Sequence, residues 1–198
     1  MKRKFTFVDY HGRRSGIIKV LAKVVSEREK LGYEFFSGGL PANLAPKTSY
    51  RGEDQHTVGS RYAAGFQGTE LDDGTLVERI RTTPVGPYDR NKLDESELIF
   101  ALTPDVLQGL KTARIPEEKL KLLMIYLDLN GSWMGSPDYS SERALVEKGK
   151  EKPKKIYMYE SPLSGKKAQE GSDEAFKLHA QDLTDITNRL CAKLFLGG

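Results

Sequence analysis

The sequence is poor in the residues that build disulfides, metal centres and membrane spans. Cys191 is the only cysteine among 198 residues, so no disulfide can form within the chain. Neither this cysteine nor the three histidines have zinc-site spacing. No run approaches the roughly eighteen apolar residues of a membrane helix, and the first apolar run is too short for a signal peptide. We therefore expect a cytoplasmic protein without membrane contact, cofactor or metal.

Charges of both signs are abundant and nearly balanced. The chain has 31 basic and 28 acidic residues, a net charge of +3, and 38% hydrophobic residues. This composition is typical of a folded domain and excludes a disordered one. The mildly basic balance permits an acidic partner without requiring one. We expect a single domain over residues 1–198, with two insertions at about 40–92 and 128–155.

The most informative stretch is a short apolar strand that leads into a loop and a helix. Phe5 to Val8 are aromatic or β-branched, which predicts a buried strand. Ser15 has the character of an N-cap, and the apolar periodicity after it predicts a helix over residues 15–31. Gly32 then occupies the place of a left-handed C-terminal glycine. A strand, a tight loop and a helix start together form a common anion-binding geometry.

The loop has the chemistry to hold a phosphate-like anion. The first N–H groups of a helix lack backbone partners, and the helix dipole adds partial positive charge there. Guanidinium groups bind phosphate oxygens in a bidentate fork. The predicted anion-binding residues are Gly12, Arg13, Arg14 and Ser15. The competing interpretation is an ordinary strand-to-helix turn with solvated arginines.

The remaining periodic segments predict a parallel sheet covered by helices on both faces. Thr103 and Pro104 are typical of a helix start, and the apolar run before them predicts a buried strand. The elements expected after the first helix are strands at Tyr33–Phe36, Glu97–Leu102 and Lys119–Leu127, a helix after Thr103, and a final helix over Asp173–Leu196. This order predicts an α/β fold, a three-layer sandwich around a four-stranded parallel sheet.

The two insertions offer surfaces for a partner. Residues 40–92 have weak periodicity, with at most one short helix over Leu71–Ile80. Residues 128–155 contain a lysine-rich run that also carries glutamates, which favours a solvated segment. A protein partner could bind through either insertion. Nucleic acid is a weaker alternative, because the sequence has no base-reading motif.

Several segments, in the same order along the chain, resemble the low molecular weight protein tyrosine phosphatases. Arg14-Ser15 is similar to the end of the family's phosphate loop, which consists of a cysteine, five residues, an arginine and a serine. The other similar segments are Tyr33–Leu40, Asp94–Thr103, Glu160–Leu163 and Asp173–Phe176. They correspond to the second strand and its turn, the third strand, the loop of the general acid, and the final helix. The resemblance implies the family's fold and a phosphate-binding loop.

The chain differs from this family at the positions of the catalytic residues. Family spacing from Arg14 places Val8 at the nucleophilic cysteine, and a loop one residue shorter places Asp9 there. The general acid's position before Pro162 holds Ser161, with Glu160 one residue earlier. Hydrolysis by this route requires a thiolate and an acid for the leaving oxygen. We therefore expect the thiol phosphatase mechanism to be absent.

Three functional hypotheses follow from these departures. The first is a non-catalytic phosphate-binding or regulatory module that uses the loop after the first strand. The second is a phosphatase or hydrolase with other chemistry, in which Asp9 or His11 acts with Glu160 or Asp138. The third is an assembly component that acts through the insertions.

Overall fold

Four parallel strands form the centre of the molecule. The structure, a computed structural model, describes residues 2–44, 60, 62–127 and 173–196. The sheet has the order β2-β1-β3-β4, and every strand pair in it is parallel. Its strands are β1 (Lys4–Asp9), β2 (Glu34–Gly39), β3 (Leu98–Ala101) and β4 (Leu120–Leu122). The α/β architecture and the four-stranded parallel sheet predicted from the sequence are confirmed.

Helices cover both faces of this sheet. The helices are α1 (Arg13–Arg28), α2 (Leu76–Arg81), α3 (Arg90–Glu95), α4 (Pro104–Thr112), α5 (Leu123–Tyr126) and α6 (Asp173–Leu196), with a 3-10 turn at Glu117–Lys119; residues 62–65 are helical as well. One core contains apolar residues of α1, α2 and α6, and the other contains residues of α3 and α4. Two cores on opposite faces of one sheet give the three layers expected. None of the described helices is long and apolar enough to cross a membrane.

The side chains of β1 point alternately into the two cores. Phe5 and Phe7 are fully buried on the α1 face, and the ring of Phe7 stacks on Phe100 at 5.6 Å. Val8 is fully buried on the opposite face, among residues of α3 and α4. Because successive strand residues point to opposite faces, Asp9 is the next residue directed away from Val8. The strand thus delivers Asp9 to the loop at its carboxyl end.

Helix α1 begins and ends earlier than the sequence predicted. It starts at Arg13 with Gly12 as its N-cap residue, so the prediction of Ser15 as N-cap is wrong. At the other end Lys30 already has a left-handed backbone, with φ of 55°, and Leu31 N donates to Ser26 O. Gly32 is left-handed too, but it belongs to the turn into β2. The helix is closed by Lys30 and not by the glycine.

The predicted fourth strand over Lys119–Leu127 is only partly correct. Strand β4 has three residues, and Leu123–Tyr126 then form a helical turn. Leu120 and Leu122 join the core beneath α4, whereas Leu123 and Met124 join the core beneath α1. A continuous apolar run does not distinguish a buried strand from a buried helical turn.

Arg3 connects the start of β1 to the last helix. Its guanidinium forms a bidentate pair with Glu97, at 2.9 and 2.7 Å, and donates to Leu194 O at 2.9 Å. The same group lies 5.3 Å from the ring centre of Phe5 and 5.5 Å from that of Tyr33. One side chain therefore fixes α6 against the end of the sheet opposite the loop.

Candidate functional site

The loop after β1 is closed around the carboxylate of Asp9. Oδ1 accepts hydrogen bonds from the backbone N–H of His11, at 3.0 Å, and from that of Gly12. Oδ2 accepts one from the backbone N–H of Ser15 at 3.0 Å. The Asp9 side chain is 2% exposed. Two of the residues predicted to bind an external anion, Gly12 and Ser15, therefore donate to a carboxylate of the chain itself.

This contact replaces a side-chain N-cap at the start of α1. Gly12 has no side chain, and no capping hydrogen bond comes from that position. The Asp9 carboxylate accepts instead from Gly12 and from Ser15, in the first turn of the helix, where the partial positive charge is concentrated. Val8, the alternative at the nucleophile's position, points into the opposite core. The structure thus places Asp9 at the base of the loop.

Close backbone contacts fix the shape of the loop. Gly12 has φ of 84°, and a Cβ there would lie 2.8 Å from Gly86 O and 3.1 Å from Gly39 N. A Cβ on Gly39 would lie 2.6 Å from the carbonyl carbon of His11. The left-handed conformation and the lack of space both require glycine at position 12. The loop consequently packs directly against the end of β2.

Ser15 and Gly16 attach the first turn of α1 to its neighbours. The Ser15 hydroxyl donates to Gly38 O at 3.2 Å, and this side chain is fully buried. A Cβ on Gly16 would lie 2.8 Å from Cγ2 of Thr83. The helix start is therefore held by β2 on one side and by the segment after α2 on the other.

Arg13 and Arg14 are both half-buried at the start of α1. Burial lowers the pKa of the Arg13 guanidinium from its ordinary value, and the nearby Asp9 carboxylate opposes that shift. The charge of Arg13 therefore lies in the field of Asp9 and offsets part of it. Arg13, with the N–H groups of Gly12 and Ser15, forms a positive environment around one internal carboxylate.

The rim of the loop carries a second acidic side chain that sequence reasoning missed. The Tyr10 hydroxyl donates a 2.7 Å hydrogen bond to Oδ2 of Asp105, in the first turn of α4. Because β1 and β3 are parallel neighbours, the loops that follow them meet at the same edge of the sheet. The sequence could have indicated this residue, because Asp105 comes just after the predicted strand that contains Phe100. His11 is half-buried on this rim, beside the Tyr10 ring.

The remaining predicted site residues are not among those that the structure describes. Glu160 and Asp138, the expected partners in catalysis, lie outside the described residues, as do Ser161 and Pro162. Cys191 is 2% exposed in the core between α1 and α6, and burial raises the pKa of its thiol to about 12. In the described part of the chain, no group of three or more His, Cys, Asp or Glu side chains could hold a metal ion.

Comparison with solved structures identifies the architecture. The chain superimposes on a low molecular weight protein tyrosine phosphatase from Bacillus subtilis with a TM-score of 0.57 and 18% identity, covering 96% of both chains. The fold is that of the low molecular weight protein tyrosine phosphatases. A phosphotyrosine phosphatase of this class from Vibrio cholerae O395 gives a TM-score of 0.58 and 13% identity, covering 99% of both chains.

A third match of this fold carries a modified nucleophile. It is the arginine phosphatase YwlE in a mutant form with a phosphorylated active-site serine, at a TM-score of 0.58 and 18% identity, covering 96% of this chain and 95% of that one. No protein-family model matches the sequence, and no curated protein matches it either. The resemblance to the phosphatases noted in the sequence is confirmed at the level of the fold.

Proposed function

We propose that this protein is a non-catalytic binding or regulatory module built on the low molecular weight phosphatase fold. The observation that carries the proposal is the Asp9 carboxylate, which accepts hydrogen bonds from the N–H groups of His11, Gly12 and Ser15. In a thiol phosphatase the corresponding loop must hold both a thiolate and the phosphoryl group that it attacks. Here the chain's own anion occupies those donors.

The chemistry of a carboxylate supports a non-catalytic role. Both oxygens of Asp9 already accept hydrogen bonds, which stabilise the charge and reduce its nucleophilicity. A dianionic phosphate entering the loop would also meet the Asp9 charge at close range, without water between the two charges. The Asp105 carboxylate at the rim adds a second negative charge near the same entrance. Substrate binding and attack are both disfavoured.

The remaining positive groups support a latent anion site. Without the Asp9 charge, the N–H groups of Gly12 and Ser15 would be free to bind phosphate oxygens at the helix start. Arg13 and Arg14 would add charge next to them. We infer that phosphate, or a phosphorylated ligand, binds this loop only when it displaces the Asp9 side chain. Such a ligand would bind weakly to the wild-type chain.

Titration of inorganic phosphate against wild type and Asp9→Ala tests the latent site. The readout is the backbone amide signals of Gly12 and Ser15 in ¹H–¹⁵N spectra. We expect no saturable shift in wild type at millimolar phosphate and a saturable shift in Asp9→Ala. Asp89→Ala is the matched control, because Asp89 caps α3 by accepting from Asn91 N and does not touch the loop. If Asp9→Ala binds no phosphate, the latent site is rejected.

Hydrolysis of p-nitrophenyl phosphate, with and without magnesium, tests the absence of catalysis. The second candidate function is an aspartyl phosphatase, and it is favoured by the position of Asp9 at the base of the loop. That candidate predicts turnover by wild type, loss of turnover in Asp9→Ala, and an acyl phosphate that hydroxylamine can trap. We expect no turnover from either chain. Turnover that depends on Asp9 would overturn the non-catalytic role.

A further inference from the structure

In the described part of the chain, some backbone groups on the outer edge of β2 have no strand partner. Strand β2 is at the end of the sheet and pairs with β1 on one side. Glu34 N donates to Arg3 O and Leu40 N donates to Asp9 O, so even-numbered residues of β2 face β1. Gly39, by contrast, bonds outward to the 86–88 segment. By the same alternation, the N–H and C=O groups of Phe35 and Ser37 point away from the sheet.

Only the carboxyl end of this edge is covered by other described residues. Gly39 N donates to Gly86 O at 2.7 Å, and Tyr88 N donates to Gly39 O at 2.9 Å, which forms one bridge with Pro87. Within residues 2–44, 62–127 and 173–196, no strand pairs with Phe35 or Ser37 on that side. The segment 86–88 thus pairs with this edge through one isolated parallel bridge.

Two grooves lie along the uncovered part of the edge. One has a volume of about 550 Å³ and the other about 170 Å³, and Phe35 and Phe36 line both. Both grooves therefore lie beside the outward-facing backbone groups of β2. An edge strand with such a groove is the geometry by which an extended peptide adds to a sheet.

The charges around the grooves favour an acidic occupant. Five lysines and three carboxylates line them, and the lysines are Lys2, Lys19, Lys23, Lys30 and Lys92. Two of the carboxylates are ion-paired: Glu27 lies 3.4 Å from Arg79 and 3.8 Å from Lys23, and Glu34 lies 3.8 Å from Lys2. In the described part of the chain, Lys19 has no carboxylate within 4 Å, and burial with the neighbouring Lys23 lowers the pKa of its ammonium group. A half-buried cation of this kind gains stability from an added anion.

At the β2 edge, the two faces of the sheet carry different side chains. Phe35 packs on Phe5 and Phe7, on the face that α1 covers and where its lysines lie. On the other face the ammonium group of Lys92 lies 5.0 Å from the ring centre of Phe36. Because side chains of an added strand alternate between faces, every second one would approach the α1 lysines. The intervening ones would contact the Phe36 ring.

We propose that the free edge of β2 binds an extended peptide as a fifth strand, with acidic side chains at alternate positions directed toward α1. The backbone groups of Phe35 and Ser37 supply the main-chain hydrogen bonds. Lys19, Lys23 and Lys30 select the acidic side chains. The Phe36 face accepts apolar side chains between them.

The test uses a synthetic peptide of alternating glutamate and valine, titrated against the full chain. Binding is followed by ¹H–¹⁵N shifts and by hydrogen-exchange protection of the Phe35 and Ser37 amides. N-methylation of alternate peptide bonds removes the strand's hydrogen bonds and is expected to weaken binding about tenfold or more. The double variant Lys19→Glu, Lys23→Glu is expected to weaken it by a similar factor. A control with the same change in charge is Lys111→Glu, Lys121→Glu, on the far side of the sheet.

Two results would overturn the proposal. In the first, millimolar peptide leaves the exchange rates of the Phe35 and Ser37 amides unchanged. The lysines would then serve only to protect the edge from aggregation. The other is equal binding of the N-methylated peptide or of a single-stranded oligothymidylate, which would show an unspecific cationic surface. Loss of peptide binding in the lysine variant and not in the control supports the proposal. None of these outcomes depends on the state of Asp9.

Discussion

Oδ2 of Asp9 lies 3.0 Å from the backbone nitrogen of Ser15, six residues later in the chain. This single hydrogen bond joins the end of β1 to the first turn of α1 and encloses the loop between them. The donor at its far end is one of the groups that would otherwise bind phosphate at a helix start. The same contact therefore stabilises the fold and closes the site.

Removal of the Asp9 carboxylate should destabilise the protein. Asp9→Ala leaves three buried or half-buried N–H groups without their acceptor and is expected to lower the free energy of unfolding by about 3 kcal/mol. Asp9→Asn keeps one acceptor oxygen for His11 and Gly12 but directs an NH2 group, which cannot accept, at Ser15 N. Its free energy of unfolding is therefore expected to fall by about 1–2 kcal/mol. Denaturant unfolding measures both values. Asp105→Asn, at the exposed rim, is the control, and an Asp9→Ala variant as stable as wild type would contradict the role of the carboxylate.

The native thiol of this chain should be inert to the reagents that inactivate cysteine phosphatases. Cys191 is 2% exposed and burial raises the pKa of its thiol to about 12, so the reactive thiolate is absent at pH 8. Iodoacetamide is expected to label Cys191 only after denaturation. Equal labelling rates for folded and unfolded protein would refute this.

A cysteine introduced at position 9 should behave in the opposite way. In Asp9→Cys the thiolate would accept the loop's N–H groups at the start of α1, which lowers a thiol pKa. The thiolate absorbance at about 240 nm reports this ionisation without requiring access of a reagent, and in a Cys191→Ser background it is expected to be present at pH 7. Asp9→Ser in the same background is the control without a thiol. Thiolate absorbance that appeared only above pH 8 would show that the loop does not stabilise an anion at this position.

The fold was predictable wherever one periodicity dominated. The alternation of Phe5, Phe7 and Val8 and the full span of α6 gave correct element types, and the parallel sheet follows from the alternation of strands and helices along the chain. The prediction failed where the period changed within one apolar run. Leu123, Met124 and Leu127 share a core at helical spacing, whereas Leu120 and Leu122 alternate. The run is continuous in the sequence and includes the exposed Ile125, so only the structure marks the end of β4.

The path from strand through loop to helix was predictable, but the contacts inside the loop were not. The anion site at residues 12–15 stays a prediction, and one alternative in the sequence placed Asp9 at the nucleophile's position. Whether that carboxylate turns inward depends on the backbone path, which contacts between Gly12, Gly39 and Gly86 determine. These residues are far apart in sequence, so local patterns carry no information about their approach.

The Arg3–Glu97 pair should contribute stability that depends on pH. The hydrogen bonds from Arg3 lower the pKa of the Glu97 carboxyl below its usual range. A carboxyl with a lowered folded pKa stabilises the protein above its unfolded pKa of about 4.3 and loses that effect as the pH falls through the folded value. Glu97→Gln is expected to cost about 0.5–1 kcal/mol at pH 7, because the Glu97 side chain is 46% exposed and solvent screens the pair.

Urea unfolding at several pH values tests this dependence. The difference between wild type and Glu97→Gln should be constant above about pH 5 and should shrink below pH 4. Glu118→Gln, an exposed residue of the 3-10 turn, is the control and should show no such trend. A difference that persisted unchanged below pH 4 would assign the effect of Glu97→Gln to packing.

Substitution by alanine should affect stability differently at two glycines that contact the loop. A Cβ on Gly39 would lie 2.6 Å from the His11 carbonyl carbon and 2.8 Å from Gly12 N, both backbone atoms that cannot rotate away. Gly39→Ala is therefore expected to cost about 2–4 kcal/mol and to shift the amide signals of Gly12 and Ser15. A Cβ on Gly86 meets no heavy atom within 4 Å, so Gly86→Ala should change stability by less than about 0.5 kcal/mol. Equal effects of the two substitutions would show that the end of β2 does not hold the loop in the conformation that encloses Asp9.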